Sequence, residues 1–415
     1  MTRKYLFLIG VFIAFKSSSQ IDYQAKVMSW NVLNWPSVSN FVADTTQRCP
    51  AYRTVVNYAQ PDILVTCENT STSSPAIFLN QVMNTGPYHY QAGTFINGYD
   101  TDNAIYYRDS LFEFLSNQPI HTSLRDISHF TLVYKSTGDT IHIFSCHLKA
   151  AQGYEVQRGA EIAKLREVTN AFPPGTNFLI GGDFNIYNDI EQAYTGMLQD
   201  NVTDDGNFLD VLHLTGIWNN YLYAPYHTQS THLNSTATFI GGGMDDRFDM
   251  ILFSNGIAQS TGVYYVPGSY INIGNDGHHF NKDINNGINT AVPTEVANAL
   301  FNSSDHLPIM LTLMFGPTSG IEEADNNVSE LNVFPVPVEE NSNSKVHFIL
   351  KQKSNVQFLI RDILGQLIDK NESVIYEPGE YDLPLKMEKF KNPGFYFISV
   401  KFDNALITKK VIVIN

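Results

Sequence analysis

Cysteine is scarce in this sequence: three residues in 415 are too few for a disulfide framework. Cys67 and Cys146 lie inside strand-like apolar runs, where buried thiols are expected, and Cys49 lies in a predicted loop. One disulfide bridge is possible, and the sequence does not show which two cysteines would form it. No cysteine–histidine spacing suits zinc, so the pattern does not point to a zinc site.

Long apolar runs are missing beyond the N-terminus. Arg3 and Lys4 precede an apolar segment, residues 5–15, that is too short to cross a bilayer. The small residues 17–19 follow it, so residues 1–19 are predicted to be a signal peptide. We therefore expect an exported protein with no stable membrane span, either secreted or attached to the cell surface.

Basic side chains are also few, with 26 Lys and Arg against 41 Asp and Glu and a net charge of −15. The deficit falls in residues 20–316, which hold 27 acids and 12 bases. Non-specific affinity for nucleic acid comes from cations that neutralise phosphates, so tight, processive binding of DNA is not expected. Metal-assisted cleavage that uses a few local arginines is compatible with this charge.

The length of the chain favours two domains. Strand-like and helix-like segments alternate over residues 20–316, and the clearest helix is predicted from Glu155 to Phe172, ahead of a Pro-Pro-Gly turn. Residues 317–330 are polar and acidic and are predicted to be a linker. Residues 331–415 alternate apolar and polar residues between turns, which predicts a small all-β sandwich.

A long stretch, residues 262–300, interrupts the strand pattern and is rich in Gly, Asn and Tyr. It is predicted to be a loop that shapes the entrance to a functional edge. Within it, Asp276, His278 and His279 could bind a metal, or they could form a loop held by hydrogen bonds among themselves.

Polar side chains that can bind a metal or transfer a proton lie at the ends of several predicted strands. In GGDFN, an apolar run predicts a strand, the two glycines predict a tight turn, and Asp183 and Asn185 are expected on the loop beyond it. In SSDHLP, Asp305 and His306 precede another apolar run. A simple strand-ending turn would explain either string alone. If the strands are neighbours, eight such residues converge on one rim: Asn31, Glu68, His147, Asp183, Asn185, Asp249, Asp305 and His306.

The order of these motifs, MSWNVLNWP, HLKA, GGDFN and SSDHLP, resembles the endonuclease/exonuclease/phosphatase superfamily over residues 24–316. The resemblance implies an α/β fold, a four-layered α/β sandwich of two packed mixed β-sheets flanked by helices. It also implies hydrolysis of phosphate esters at one rim with a divalent cation. Mg²⁺ is the expected ion, and Mn²⁺ or Ca²⁺ are alternatives.

The resemblance further implies a role for each residue. Glu68 would bind the metal, assisted by Asn31 and Asp305. Asp183 would orient or deprotonate the attacking water, with Asn185 as its hydrogen-bonding neighbour.

Two histidines and an arginine complete the implied site. His306 would contact the phosphate, Asp249 would hold His306 in the right tautomer, and His147 would be the second histidine at the phosphate. Arg125 precedes a strand where related nucleases place an arginine that binds substrate phosphate. A surface salt bridge with Asp126 or another acid is the alternative for this arginine.

The C-terminal segment resembles the type A sorting domain of the type IX secretion system. The matching features are VFPVPVEE near its start, LGQLI at 364–368, GFYFISV at 394–400 and KKVIVIN at 409–415, and Val336 stands where the family usually has Asn. The resemblance implies handling by the type IX secretion machinery, with the tail removed on secretion or surface anchoring. A carbohydrate-binding or adhesion sandwich is the alternative.

The sequence thus predicts an exported, metal-dependent phosphodiester hydrolase, acting as a monomer and most simply as an extracellular nuclease. HLKA, then a helix, then GGDFN resembles the secreted-nuclease branch more than the lipid or inositol branches. The acidic domain better suits the alternatives, a phospholipase C-like enzyme of the sphingomyelinase type or a phosphomonoesterase. A non-catalytic adhesin would be indicated by substitutions at Glu68, Asp183 or His306, and all three are intact.

Overall fold

The structure of the protein is a computed structural model. It describes residues 23–36, 45–258, 262–316, 328–334, 338–339, 344–362, 367–385, 390, 394–402 and 405–414. The predicted signal peptide lies outside the described residues, as do residues 317–327 of the predicted linker. A strand begins at Val328, inside the segment predicted as linker.

The N-terminal domain alternates strands and helices. Its strands are β1 Gln24–Trp35, β2 Ile63–Asn69, β3 Tyr90–Ala92, β4 Asp102–Arg108, β5 Phe112–Asn117, β6 Ser128–Tyr134, β7 Thr140–His147, β8 Phe178–Asp183, β9 Phe208–Leu209, β10 Asp249–Ser254, β11 Tyr264–Tyr265, β12 Ile271–Asn272 and β13 Ile309–Met314. Its α-helices are α1 Thr45–Ala59, α2 Ser74–Gln81, α3 Glu155–Thr169, α4 Gln192–Leu198, α5 Asn255–Ala258 and α6 Thr294–Ser303.

The strands form two mixed sheets. The first has the order β11-β13-β1-β2-β4-β3, with β12 also paired to β13, and the second has the order β5-β6-β7-β8-β10-β9. Each sheet contains a central parallel pair, β1 with β2 and β7 with β8, flanked by antiparallel neighbours. The two parallel pairs point the ends of four strands towards one rim.

Three apolar layers hold this domain together. The middle layer lies between the sheets and includes Val27, Val65 and Ile143. One outer layer packs α1, α2 and α6 on the first sheet, and the other packs α3 and α4 on the second sheet. Helices, two sheets and helices make a four-layered α/β sandwich, which confirms the predicted fold class.

Strand β7 illustrates how the sequence pattern produces these layers. Side chains alternate between the two faces of a strand. Ile141 and Ile143 belong to the layer between the sheets, whereas Phe144 and Cys146 belong to the layer under α3 and α4. The alternation therefore ends with His147 at the rim.

The two glycines of GGDFN lie inside β8, not in the turn that the sequence predicts. A Cβ on Gly181 would lie 2.9 Å from the Cβ of Ser29 in the facing sheet. A Cβ on Gly182 would lie 2.0 Å from the carbonyl oxygen of Cys146 in the neighbouring strand. Both positions exclude a side chain because the backbone approaches its neighbours so closely.

Three element predictions need correction. The helix that begins at Glu155 ends at Thr169, three residues before the predicted Phe172. Cys49 lies in α1 and is buried, not in a loop. The stretch 262–300 contains β11, β12 and the start of α6, because Val296, Ala297 and Leu300 form an apolar stripe in the outer layer that also contains α1.

The C-terminal region is all β in its described part. Its strands are β14 Val328–Phe334, β15 Val338–Glu339, β16 Lys345–Leu350, β17 Ser354–Asp362, β18 Leu367–Lys370, β19 Val374–Tyr376, β20 Gly379–Pro384, β21 Gly394–Phe402 and β22 Ala405–Ile414. They form a three-stranded sheet, β14-β16-β20, and a six-stranded sheet, β15-β22-β21-β17-β18 with β19 on β17. The core includes Phe348 and Val400, one from each sheet.

Among the residues that the structure describes, no helix is long and apolar enough to cross a membrane.

Candidate active site

Polar residues from both sheets meet at the rim. In the second sheet, the register pairs Asp183 at the end of β8 with His147 of β7 on one side and Asp249 of β10 on the other. In the first sheet, Asn31 of β1 lies beside the end of β2, which carries Glu68. The strand ends therefore meet at one rim, as the sequence predicts.

Glu68 occupies an irregular end of β2. The pairing of β1 with β2 shifts between Asn31 and Trp35, and Glu68 has a positive φ of 66°. Such left-handed backbone is strained for a non-glycine residue and is often found at functional sites. The backbone N–H of Asn34 donates to Glu68 Oε2 at 2.8 Å, which fixes the carboxylate.

Asn31 links the carboxylates of the two sheets. Its side-chain amide donates to Glu68 Oε1 at 2.8 Å and to Asp183 Oδ2 at 3.1 Å. Glu68, His147 and Asp183 each offer a ligand atom, and these three atoms lie within 4.8 Å of one another. Asp305 is not part of this group, although the sequence resemblance places it among the metal ligands.

A second line of contacts runs through His306. Its Nδ1 lies 2.8 Å from Asp249 Oδ2, and its Nε2 lies 3.7 Å from Asp183 Oδ2. His147 approaches the same aspartate from the other side, with its Nε2 3.6 Å from Asp183 Oδ2. All four side chains are almost completely buried.

The remaining predicted residues have different surroundings. The backbone N–H of Asn185 donates to Asp183 Oδ1 at 3.1 Å, and its side chain donates to the carbonyl of Leu148. Asp305 Oδ2 accepts from the backbone N–H of Ile240 at 3.2 Å. Asp305 Oδ1 is buried without a hydrogen-bond partner in the described part of the chain.

Arg125 lies at the rim, but its guanidinium is already bonded. Its Nε donates to the carbonyl of His147 at 3.0 Å, and Nη1 donates to Asp100 Oδ2 at 3.2 Å. Its side chain is only 9% exposed. The arrangement holds the end of β7 in place, and the acidic partner is Asp100, not Asp126.

The charges at the site are coupled. Burial raises the pKa of Asp183 to about 7. The positive charge of His306 lowers this pKa, and the negative charges of Asp249 and Glu68 raise it further. Burial would lower the pKa of His306, but Asp249 and Asp183 raise it well above its ordinary value. Burial, together with Arg125 and His306, lowers the pKa of His147 well below its ordinary value. His306 therefore carries a proton where His147 is neutral.

Sequence reasoning missed one residue at the site. The amide nitrogen of Gln229 lies 2.7 Å from His306 Nε2. A neutral ring accepts at Nε2 from the amide nitrogen, whereas the protonated ring donates from Nε2 and pairs with the amide oxygen. Gln229 lies in HTQSTH, which has no strand or helix period, so no local signal could have identified it.

The loop candidates Asp276 and His279 bond to each other. His279 Nδ1 lies 2.8 Å from Asp276 Oδ1, and the backbone N–H groups of His278 and Thr290 donate to the same carboxylate. Of the two alternatives for this segment, a metal site and a loop held by its own hydrogen bonds, the structure contains the loop.

The fold and the site define a class of protein, the phosphoric ester hydrolases that use a divalent cation. A sequence model of the Endonuclease/Exonuclease/phosphatase family matches residues 28–306, more than half of the chain. The chain belongs to this family. A second model, of the secretion system C-terminal sorting domain, matches residues 332–414, and this domain indicates export by type IX secretion to the cell surface or the extracellular space.

Several solved structures are similar to this chain. Truncated TDP2 from Caenorhabditis elegans is 20% identical, and the match covers 70% of this chain and 98% of that one with a TM-score of 0.46. The human Nocturnin catalytic domain with bound sulfate is 20% identical, with 71% and 96% covered and a TM-score of 0.45. A family protein from Bacteroides vulgatus is 14% identical, with 70% and 99% covered and a TM-score of 0.48. Curated proteins include no significant match.

Proposed function

We propose that this chain is an exported, magnesium-dependent phosphodiesterase that cleaves nucleic acid. The proposal rests on one observation: a set of oxygen ligands and an aspartate–histidine pair lie together at one buried rim. Asn31 joins Glu68 to Asp183, and Asp183 also faces His306, which is held by Asp249. The oxygen atoms of Glu68, Asp183 and Asn31 suit a hard cation, and the pair of His306 with Asp249 suits contact with an anion and transfer of a proton.

The donors at the rim fit a hard divalent cation. Carboxylate and amide oxygens are the ligands that Mg²⁺ prefers, and one or two carboxylates suffice because the ion keeps several waters. Glu68 and Asp183 would hold the ion, with Asn31 and Asp305 beside them. The orphaned Oδ1 of Asp305 supports this, since buried oxygens normally have a partner. When bound, the cation would neutralise charge on the phosphate.

Asp183 would orient the attacking water and accept its proton. Asn31 and the backbone N–H of Asn185 fix the carboxylate from two sides. Burial raises the pKa of this carboxyl, so it is a stronger base than an exposed aspartate. A fixed, buried carboxylate needs little reorganisation during the reaction.

His306 would donate a hydrogen bond from Nε2 to a phosphate oxygen. Asp249 accepts from Nδ1 and thereby both orients the ring and favours its charged form. For this, Nε2 must exchange its present contact with Gln229 for one with the phosphate. His147, neutral and 3.6 Å from Asp183, would complete the phosphate site.

A second candidate is an enzyme acting on small phosphoesters or phospholipid head groups. The 27 acids and 12 bases of residues 20–316 disfavour a long polyanion. Arg125, the arginine predicted to bind substrate phosphate, is engaged by Asp100 and the carbonyl of His147.

An activity panel tests both candidates. The mature protein is incubated with supercoiled DNA, RNA, sphingomyelin and a chromogenic phosphomonoester, each with magnesium and with excess chelator. We expect cleavage of nucleic acid that chelation abolishes and that magnesium or manganese restores. Full activity in excess chelator would eliminate the metal mechanism, and cleavage of sphingomyelin or the monoester alone would replace the nuclease by the second candidate. Asp183→Asn serves as the inactive control.

A further inference from the structure

Lys149 lies two residues beyond His147, on the segment that joins β7 to α3. Its ammonium nitrogen is 4.2 Å from the centre of the Tyr154 ring, a cation–π contact. Among the described residues, no carboxylate forms an ion pair with this ammonium. Tyr154 is 44% exposed, so the cation is held against an accessible ring and not against an acid.

This free cation contrasts with the arginines nearby. Arg125 is paired with Asp100, Arg158 with Glu191, and Arg247 with Asp210. Lys149 is therefore a positive charge that remains available beside the rim of a strongly acidic domain.

The backbone around Lys149 is firmly held. Arg158, which is fully buried, donates to the carbonyls of Lys149 and Ala151 at 2.9 and 2.8 Å. The backbone N–H of Lys149 donates to Glu161 Oε2 at 3.1 Å. Tyr154 and this framework thus place the ammonium with little freedom to lose on binding an anion.

We propose that Lys149, positioned by Tyr154, binds a second phosphate of the substrate, next to the phosphate that is cleaved. This inference rests on the proposed function and deepens it, since it assigns the substrate class as a strand with at least two consecutive phosphates.

The distances support this assignment. Two residues span at most about 7 Å between Cα atoms, and neighbouring phosphates of one strand are joined through a single sugar. A lysine side chain on this segment can therefore reach the neighbouring phosphate while the cleaved phosphate lies at His147 and His306. A phosphomonoester or a phospholipid head group with one phosphate cannot use both positions.

The test compares Lys149→Gln on two substrates, a single-stranded oligonucleotide of ten nucleotides and bis(p-nitrophenyl) phosphate, which has one phosphate. We expect kcat/KM on the oligonucleotide to fall by about 5- to 20-fold, mainly through KM, as for loss of one phosphate contact. On bis(p-nitrophenyl) phosphate the variant should match the parent. The slope of log kcat/KM against log salt should decrease by about 0.7 on the oligonucleotide.

Three further variants make the test specific. Tyr154→Leu should shift KM in the same direction by a smaller factor, and Tyr154→Phe should restore the parent value because it keeps the ring. Lys164→Gln is the matched control. Lys164 is exposed, pairs with Glu167, and lies ten residues beyond Tyr154, about 15 Å along α3.

Two results would overturn the inference. One is an unchanged KM and salt slope of Lys149→Gln on the oligonucleotide, and the other is an equal loss on both substrates, which would indicate a structural role. A parent enzyme that cleaves bis(p-nitrophenyl) phosphate but no nucleic acid would remove the proposed function, and the inference with it, without any variant being needed.

Discussion

At the scale of single residues, the site depends on charges that are buried but matched. Asp249 sits 2.8 Å from one nitrogen of His306, and Asp183 sits 3.7 Å from the other. Removing one member of such a group leaves its partner unpaired in a low-dielectric environment. Changes that remove a single charged group are therefore the informative ones.

Asp183→Asn and His306→Ala should each lower turnover by about two to four orders of magnitude, the usual scale for loss of a positioned acid–base or charge-stabilising group. Glu68→Gln should differ, because weaker metal binding should be partly recovered at high magnesium. Rates on the true substrate and melting temperatures of all three variants check this. Near-native turnover of Asp183→Asn would show that this rim is not the active site.

Gln229 offers a finer test of the same ring. Gln229→Ala removes the amide beside His306 Nε2 and should lower kcat/KM by about tenfold, because this amide positions the ring before the phosphate takes its place. Gln229→Glu should instead raise KM by at least about tenfold, since a carboxylate would pair with His306 and repel the phosphate. Gln157→Ala is the control, because this glutamine of α3 bonds to Ser123. Unchanged kinetics in both Gln229 variants would mean that the amide only fills space.

At the scale of secondary-structure elements, strand pairing makes the site. The antiparallel and parallel registers of β8 place Asp249 and His147 on either side of Asp183. The same sheet carries a second histidine pair away from the rim. His129 of β6 lies 2.9 Å from His142 of β7, and His129 stacks on Phe144.

This histidine pair should make the fold sensitive to acid. Burial and the neighbouring His142 lower the pKa of His129 to about 4, against about 6.5 in the unfolded chain. Between these values the unfolded chain binds a proton that the folded chain does not, so the free energy of unfolding falls as the pH falls.

The free energy of unfolding should therefore fall between pH 7 and pH 5 in both proteins. In His129→Gln the fall should be smaller than in the parent by about 1–2 kcal/mol. Denaturant titrations at the two pH values measure the difference, and contributions of groups that do not touch His129 cancel in it. His121→Gln is the control, because that side chain is 80% exposed. Equal losses in parent and His129→Gln would contradict the assignment.

At the scale of the whole molecule, an acidic catalytic domain precedes a nearly neutral all-β tail. Phe315 closes the catalytic domain: its ring lies 4.5 Å from that of Tyr134, and its backbone N–H donates to the carbonyl of Tyr23 at 2.8 Å. The next residue, Gly316, is the predicted end of this domain. The matching sorting domain begins beyond it, at residue 332.

Residues 20–316 should consequently fold and act without the tail. A truncation after Gly316 keeps the Phe315 contacts and cuts in a polar segment, so we expect soluble protein with kcat/KM within about twofold of the parent, because domains with their own cores fold alone. Activity and thermal melting of both proteins provide the measurement. Insoluble protein, or folded and inactive protein, would show that the tail belongs to the catalytic unit.

The sequence by itself was enough for the features that depend on local pattern. Alternation along β7 predicted a strand that ends in His147, and the motif order predicted the family and the four-layered sandwich. The apolar run of β8 predicted a strand ahead of Asp183, but the strand continues through both glycines to Asp183 itself. Helix α6, which begins within 262–300, was missed because its apolar stripe is short and follows a segment rich in Gly and Asn.

Only the tertiary structure decided which of these residues touch. The bond of Asn31 to Asp183 joins residues 152 positions apart, and that of Gln229 to His306 spans 77. The engagement of Arg125 by Asp100 and the free ammonium of Lys149 likewise depend on where loops pack. Local periodicity tells which face of a strand a side chain takes, but contacts across sheets depend on register and close packing between distant segments, which no local pattern encodes.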